Sequence, residues 1–319
     1  MNTELTQLQK RINNLKVLVM GDLILDEYLE TDVERISPEA PVPVAIVKDS
    51  INKLGGAANV AWNVSMLGAK TTLFGISGKD LGERKIKQLC KKNKINFVSY
   101  NPKYFFTTIK TRVVSKGAQI VRIDKEKKDF QIDKIDKRKL KNKLSGLIEK
   151  TDLIILSDYE KGLFDNEILD FIKSKGKFVS IDTKSKKIDL SGFSLIKKNL
   201  KETLDSLKYF KNFEEYENRN KDIENLGKFL IEKTKSPLLI TRDEKGASFI
   251  GKKIVHAKTK VSTVYDVTGA GDTCNAAFSL FMYLNLPVEK SLSLMNHLAK
   301  ITISHMGTYA PRLNEIEWK

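Results

Sequence analysis

The strongest constraint on this chain is a rhythm in which short apolar runs alternate with stretches of helical periodicity. Lys16–Met20 reads as a buried strand ending at Gly21-Asp22, and Gly55–Leu67 as a glycine start followed by a helix that closes at Gly68. Strand Thr71–Ile76, helix Leu81–Asn93 and strand Ile95–Ser99 come next. The pattern resumes with a helix near Lys137–Glu149, strand Asp152–Leu156, helix Asn166–Lys175 and strand Phe178–Ile181. Strand Ser194–Lys197, helices Leu200–Leu207 and Lys221–Lys233, and strand Pro237–Thr241 complete it. Strands that alternate with helices specify an α/β fold with a mostly parallel central sheet and helices on both faces.

Two stretches break the rhythm. Tyr28–Lys48 carries three prolines in Ser37-Pro-Glu-Ala-Pro-Val-Pro43, and Phe105–Asp124 contains the alternating runs Thr107–Val114 and Gln119–Ile123. Both read as exposed antiparallel strands. Against the plainer alternative of two surface hairpins, the expectation is a small β-sheet lid formed by about 28–48 and 105–124, because lids exclude water from reactive sites. The sequence shows no internal repeat and no long linker, so residues 1–319 read as one domain. The Lys- and Glu-rich runs near 125–143 and 208–225 read as solvated helix faces or loops.

Composition narrows the function classes. At 41% hydrophobic and 30% charged, the 319 residues can bury a core and are not a disordered chain. No apolar run approaches the roughly 18–20 residues that span a bilayer, so no membrane partner is expected. The net charge of +16 raises the question of nucleic acid, but nine of the 56 basic residues are arginine and 47 are lysine, spread along the chain. Diffuse lysine favours solubility and steering of anionic ligands, whereas base and phosphate forks favour arginine. Neither zinc-finger spacing nor an RNP-type run is present. Cys90 and Cys274 read as reduced thiols, and Met1–Asn14 lacks the apolar centre of a signal peptide. Cytoplasm is the expected location.

The segment richest in chemistry is Asp266-Val-Thr-Gly-Ala-Gly-Asp272, with Thr268 inside it and helical periodicity starting at once after it. Gly269 and Gly271 permit a tight turn with exposed amides, and a helix N-terminus there is an anion site. Asp272 in the first turn reads equally as a helix cap or as a base that accepts a proton while the amides hold a phosphoryl group. Two tempting motifs fail. Cys274 stands where a dinucleotide fingerprint needs its third glycine. Gly246–Lys253 fits a phosphate-binding loop except that Lys253 replaces the metal-holding hydroxyl, and its alternation suggests a hairpin.

Asp266–Asp272 and Gly55-Gly56-Ala57-Ala58-Asn59-Val60-Ala61, about 210 residues apart, together resemble the two signatures of the ribokinase-like (PfkB) carbohydrate kinases. The resemblance covers about residues 15–310. Arg35–Pro43, Thr108–Val114, Gln119–Asp124 and Ser157-Asp-Tyr-Glu-Lys-Gly162 look most like the heptose 7-phosphate kinases within that family. Those enzymes phosphorylate the anomeric hydroxyl of D-glycero-β-D-manno-heptose 7-phosphate, a step toward ADP-heptose and the lipopolysaccharide core. The group often carries a fused nucleotidyltransferase; no His-x-Gly-His motif follows here, so a stand-alone kinase with a separate nucleotidyltransferase downstream is expected.

The resemblance implies roles. Asp272 matches the base, and Gly269, Ala270 and Gly271 match the anion hole. Asn199-Leu-Lys-Glu202 matches a motif that organises Mg²⁺ through water and the ATP phosphates, although alone it would read as a helix cap. Lys198 replaces the usual proline before it. Thr241, Arg242 and Gly246 match a loop near the nucleotide, Thr268 and Lys184 belong to elements that reach phosphate, and Asn296 with Gly307-Thr308 falls at the adenine pocket. For the sugar, the candidates are Asp26, Gly55, Gly56 and Asn59; for its phosphate, Arg112, Arg122 and Lys161. ATP and Mg²⁺ are implied, with a monovalent cation in some members, and a homodimer joined through the lids. The alternatives are a kinase for another sugar, sugar phosphate or nucleoside, and a non-catalytic sugar-binding regulator.

Overall fold

The structure, a computed structural model, describes residues 3–127, 136–208, 219–259 and 264–316. The charged runs near 125–143 and 208–225 lie partly outside the described residues. The chain opens with α1 (Thr3–Asn13), a helix the sequence reading did not anticipate, which buries Leu5, Leu8 and Ile12 on one face.

Strand β1 (Lys16–Ile36) is 21 residues long and belongs to two sheets. Its first part lies between β3 (Lys70–Ile76) and β7 (Leu153–Asp158), parallel to both. Past Asp22 it pairs antiparallel with β2 (Pro43–Gly56) and parallel with β5 (Thr108–Ser115), and β5 pairs antiparallel with β6 (Ala118–Lys125). The small sheet therefore runs β2-β1-β5-β6. This corrects two expectations: β1 does not end at Gly21-Asp22, and the small sheet is not wholly antiparallel. The apolar run continues through Leu23, Ile24 and Leu25, all buried, so the strand has no reason to stop. Gly21 permits the crossing, because a Cβ there would stand 2.0 Å from the Ser157 carbonyl oxygen.

The main sheet has the order β12 (Ile254–Ala257), β11 (Ala247–Ile250), β10 (Leu238–Thr241), β9 (Leu195–Asn199), β8 (Phe178–Thr183), β7, β1, β3, β4 (Asn96–Tyr100). Strands from β10 to β4 are parallel, and β10-β11-β12 is antiparallel. The segment that mimicked a phosphate-binding loop is the β11–β12 hairpin, as its alternation predicted. Leu153, Ile154, Ile155 and Leu156 of β7 are all fully buried, as a strand covered on both faces requires. One face packs on α2 (Ala57–Met66), α3 (Leu81–Lys92), α8 (Ala270–Tyr283) and α9 (Val288–Ile303). The other packs on α4 (Lys137–Ile148), α5 (Asn166–Lys173) and α7 (Asn220–Thr234). Asp80, Asp136 and Asp165 accept from the third amide of the helices they precede, at 2.9–3.0 Å, which satisfies donors that helix starts leave open.

From β1 the chain builds outward to β3 and β4, then returns to β7 and builds the other way to β10. The order reverses between β1 and β7. In parallel α/β sheets ligands bind outside the carboxyl ends of the strands at such a point, and here those ends carry Asp22, Asp158, Asp182 and Asn199. Cys90 and Cys274 are buried free thiols.

Candidate active site

The N-terminus of α8 lies over this crevice. Gly269, its N-cap, has φ 88°, and a Cβ there would reach within 2.9 Å of Asn59 Nδ2; only glycine suits both the angle and the space. The first-turn amides of Gly271 and Asp272 have no acceptor within the helix, so they offer donors to an anion. Asp272 does not cap the helix. Its Oδ2 accepts from Asn59 Nδ2 at 2.7 Å and its Oδ1 from the Tyr159 hydroxyl at 2.9 Å. Burial pushes the Asp272 carboxyl up to about 6, with Asn59 and Tyr159 pulling it back, Asp182 raising it and Lys197 lowering it. A carboxylate that is ionised at neutral pH yet proton-hungry suits a general base.

Tyr159 follows as the orienting donor. Loss of its hydroxyl removes a hydrogen bond that favours the charged carboxylate, so the Asp272 pKa must rise. In Tyr159→Phe the acid limb of kcat/KM, expected near pH 6, moves up by about one unit. A pH profile of the two enzymes checks this; coincident limbs would remove Tyr159 from the account of Asp272.

Beneath the α8 turn, Lys197 is buried with its Nζ 2.7 Å from Asp182 Oδ2. Burial works against its charge, but Asp182 and Glu202 outweigh it and hold the ammonium well above its ordinary range. A Cβ on Gly271 would stand 3.2 Å from that Nζ, so the cation sits close against the Gly271 turn. Asp22, also buried, accepts from the amides of Tyr159 and Lys161 at 2.7 and 3.1 Å and fixes the loop that carries both side chains. Burial, with Asp158 as neighbour, raises the Asp22 carboxyl to about 7.

The small sheet roofs the site. A cavity of about 130 Å³ is lined by Asp26, Gly56, Lys110, Arg112, Tyr159 and Asp272 together with Thr268, Gly269 and Thr308. Asp26 is paired with Arg112 at 2.6 Å, and both are largely buried. Gly55 makes room for Asp26, since a Cβ would come 2.3 Å from its Oδ2. Asn59 is occupied in holding Asp272. Lys161 is paired with Glu126 at 2.7 Å, and Arg122, on the exposed strand β6, with Asp124 at 2.8 Å. A larger cavity of about 190 Å³ lies on the other face of the sheet, against Ile188, Leu190, Lys198 and Leu230; none of the sequence-predicted site residues lines it.

At the carboxyl end of β9, Asn199 and Glu202 form a reciprocal cap at the start of α6 (Leu200–Lys208). The Asn199 amide donates to Glu202 Oε2 at 2.9 Å and the Glu202 amide to Asn199 Oδ1 at 2.7 Å. The capping reading is thus realised in the geometry. One carboxylate and one amide suit a hydrated Mg²⁺, which keeps its waters and takes few protein ligands besides phosphate oxygens. Among the described residues no group of three or more His, Cys, Asp or Glu is arranged to hold a metal directly. Lys184 lies over the Tyr159 ring at 3.9 Å. Thr241 ends β10, and Gly246 has φ 85° against the Ala257 carbonyl. Arg242 is buried and donates to Asn220 and Ser248 at 2.7 and 3.0 Å. The Thr268 amide donates to Asp266. Asn296 donates to the Ala257 and Lys258 carbonyls. Thr308 is placed against Gly269 in the cavity with Asp272, and its hydroxyl is buried without a partner among the described residues. That orphaned hydroxyl and the open amides of the α8 turn fit a phosphate-bearing ligand such as ATP.

Sequence reasoning gave no role to Tyr159, Lys197, Lys110 or Asp182. The signal for Lys197 was present, because a lysine inside an otherwise apolar strand, Leu195-Ile196-Lys197, must find a buried anion. No sequence signal tied Tyr159 to Asp272.

A sequence model described as "pfkB family carbohydrate kinase" matches residues 14–315. The chain is 36% identical over 309 residues to the bifunctional protein HldE of Helicobacter pylori (strain HPAG1), covering 94% of this chain and 65% of that protein. It is 31% identical over 304 residues to the protein of the same name from a Nitratiruptor species, covering 95% and 64%. The chain thus spans somewhat under two thirds of the length of these relatives. In fold it is similar to ribokinase from Thermotoga maritima, with TM-score 0.69 and 19% identity over 92% of this chain and 94% of that one. It is also similar to phosphofructokinase-2 from Escherichia coli in complex with potassium, with TM-score 0.76 and 16% identity over 94% and 96%.

Proposed function

The chain belongs to the pfkB family of carbohydrate kinases and is an ATP-dependent sugar kinase; from that premise we propose that its substrate is D-glycero-β-D-manno-heptose 7-phosphate, phosphorylated at O1 to the 1,7-bisphosphate on the way to ADP-heptose. The observation that carries this reading is the pair of cationic side chains on the small sheet, Lys110 and Arg112, that line one cavity with the buried Asp272. Similarity to the HldE proteins supports the same substrate class.

In the proposed reaction Asp26 and the backbone at Gly55-Gly56 orient the sugar. Asp272, held by Asn59 and Tyr159, takes the O1 proton. The Gly271 and Asp272 amides, with Lys197 close against their turn, stabilise charge on the oxygens in transfer. The γ-phosphoryl group of ATP would pass to O1 with ADP leaving; Asn199 and Glu202 would hold a hydrated Mg²⁺, which when bound would supply neutralising charge for the phosphate oxygens. Closure of the small sheet over the sugar keeps water from competing as acceptor. Cytoplasm, where ATP is abundant, is the proposed location; among the described residues no helix is long and apolar enough to cross a membrane.

The test is ADP release with ATP and Mg²⁺ on heptose 7-phosphate, sedoheptulose 7-phosphate, fructose 6-phosphate, fructose, ribose and adenosine. A strong preference for heptose 7-phosphate is expected. Preference for another sugar overturns the substrate, and no turnover of any moves the chain to a non-catalytic regulator. Repeating the assay across a potassium titration tests for a monovalent-cation requirement.

Among the described residues the small sheet has two unpaired edges, β2 and β6, and exposes Ile46 and Val47 on the first and Val121 and Ile123 on the second. Exposed apolar edge strands invite pairing. The proposed assembly is a homodimer joined through these sheets. Light scattering at micromolar concentration should give twice the chain mass, and charged replacements at Val121 and Ile123 should give monomers; a wild-type monomer refutes the dimer.

A further inference from the structure

This inference rests on the sugar-phosphate reading above. Across the site-facing side of the small sheet, the register sets Asp26 beside Lys53 on β2 and beside Lys110 on β5, and Lys110 beside Asp124 on β6. Residues directly opposite share a face of the sheet. One pair further along the same face come Tyr28, Arg112 and Arg122. Nearly every charge in these rows is engaged within the protein. Arg112 is spent on Asp26 at 2.6 Å and Arg122 on Asp124 at 2.8 and 3.0 Å. Lys53 donates to the Met306 and Thr308 carbonyls, and nearby Lys161 pairs with Glu126 at 2.7 Å.

Lys110 is the exception: it lines the cavity with Asp272 and Thr308, yet makes no hydrogen bond or ion pair among the described residues. Burial lowers its pKa, Arg122, Lys184 and Lys161 lower it further as like charges, and Asp124 acts the other way. A half-buried ammonium among other cations is unfavourable until an anion neutralises it.

We propose that Lys110 receives the distal phosphate of the sugar and sets the preference for phosphorylated over unphosphorylated substrates, whereas Arg112 serves by holding Asp26. Arg112 and Arg122 are already charge-neutralised by Asp26 and Asp124, so a substrate phosphate there would meet a cation whose charge is partly spent. Lys110 has no such partner among the described residues.

The experiment measures kcat/KM for heptose 7-phosphate and for the unphosphorylated heptose in the wild type, K110M, K110R and R112M. Removing one charged hydrogen-bond partner should cut the phosphorylated-to-unphosphorylated ratio on the order of 10- to 100-fold in K110M, mainly through KM. K110R should recover most of it. R112M should lose efficiency on both sugars alike. As a second readout, inorganic phosphate should compete with the sugar phosphate in the wild type and much less in K110M. A K110M enzyme with the wild-type ratio and wild-type phosphate inhibition overturns the inference and leaves the substrate reading standing. A wild type without preference for the phosphorylated sugar overturns that reading, and this inference with it. Should K110M fail to fold, K110Q and the phosphate competition in K110R decide in the same way.

Discussion

Asp272→Asn is expected to lower kcat by about three orders of magnitude, within the 10²–10⁴-fold that general-base catalysis contributes, with little change in ATP affinity. The amide keeps the shape, and one of its atoms can still accept from Asn59 Nδ2 or the Tyr159 hydroxyl, which now lie 2.7 and 2.9 Å from the carboxylate oxygens. It cannot take a proton. The residue is 7% exposed, and with sugar in the cavity bulk solvent has little access as a substitute base. Single-turnover phosphoryl transfer, read beside nucleotide binding by calorimetry, separates the two effects. Turnover within tenfold of wild type would show that the sugar hydroxyl loses its proton elsewhere.

Lys197→Met should give the largest change in stability. The ammonium and Asp182 are 2.7 Å apart, with side chains 5% and 15% exposed. Breaking such a pair from one side leaves a buried, uncompensated charge and costs about 3–5 kcal/mol, readable as a lowered urea midpoint. It should also cost activity, about 10²-fold in kcat, because Nζ lies close against the Gly271 turn. The acid limb should rise as well, since Lys197 lowers the Asp272 pKa. The double variant Lys197→Met, Asp182→Asn separates these roles. With both charges gone, much of the stability should return, whereas kcat should stay low. If kcat returned with stability, Lys197 would serve only to neutralise Asp182.

The alternation of apolar runs and helical stretches was enough to predict the parallel sheet and its two helical layers, because a strand buried on both faces must be continuously apolar. Leu153–Leu156 shows that requirement met. Glycine spacing likewise pointed to the turn before α8, since φ 88° at Gly269 is closed to most other residues. The path of β1 was not legible. Gly21-Asp22 reads as a strand end, and only the pairing of residues 23–36 with β2 and of residues 24–30 with β5 shows the strand continuing into a second sheet.

The same limit applies to the site. Local spacing drew attention to Asp272, and the resemblance of short motifs to the PfkB signatures drew attention to Asn59, Asp26 and Arg112. Which charges are already neutralised is a long-range property. Arg112 meets Asp26 across 86 positions, Tyr159 meets Asp272 across 113, and Asn59 meets Asp272 across 213. The fold class and the glycine turn before α8 were legible along the chain, since both follow from local periodicity and backbone freedom. That Asn59 and Tyr159 converge on Asp272, and that Lys110 has no partner among the described residues, became visible in the folded chain alone, because electrostatic pairing depends on distance in space and not along the chain.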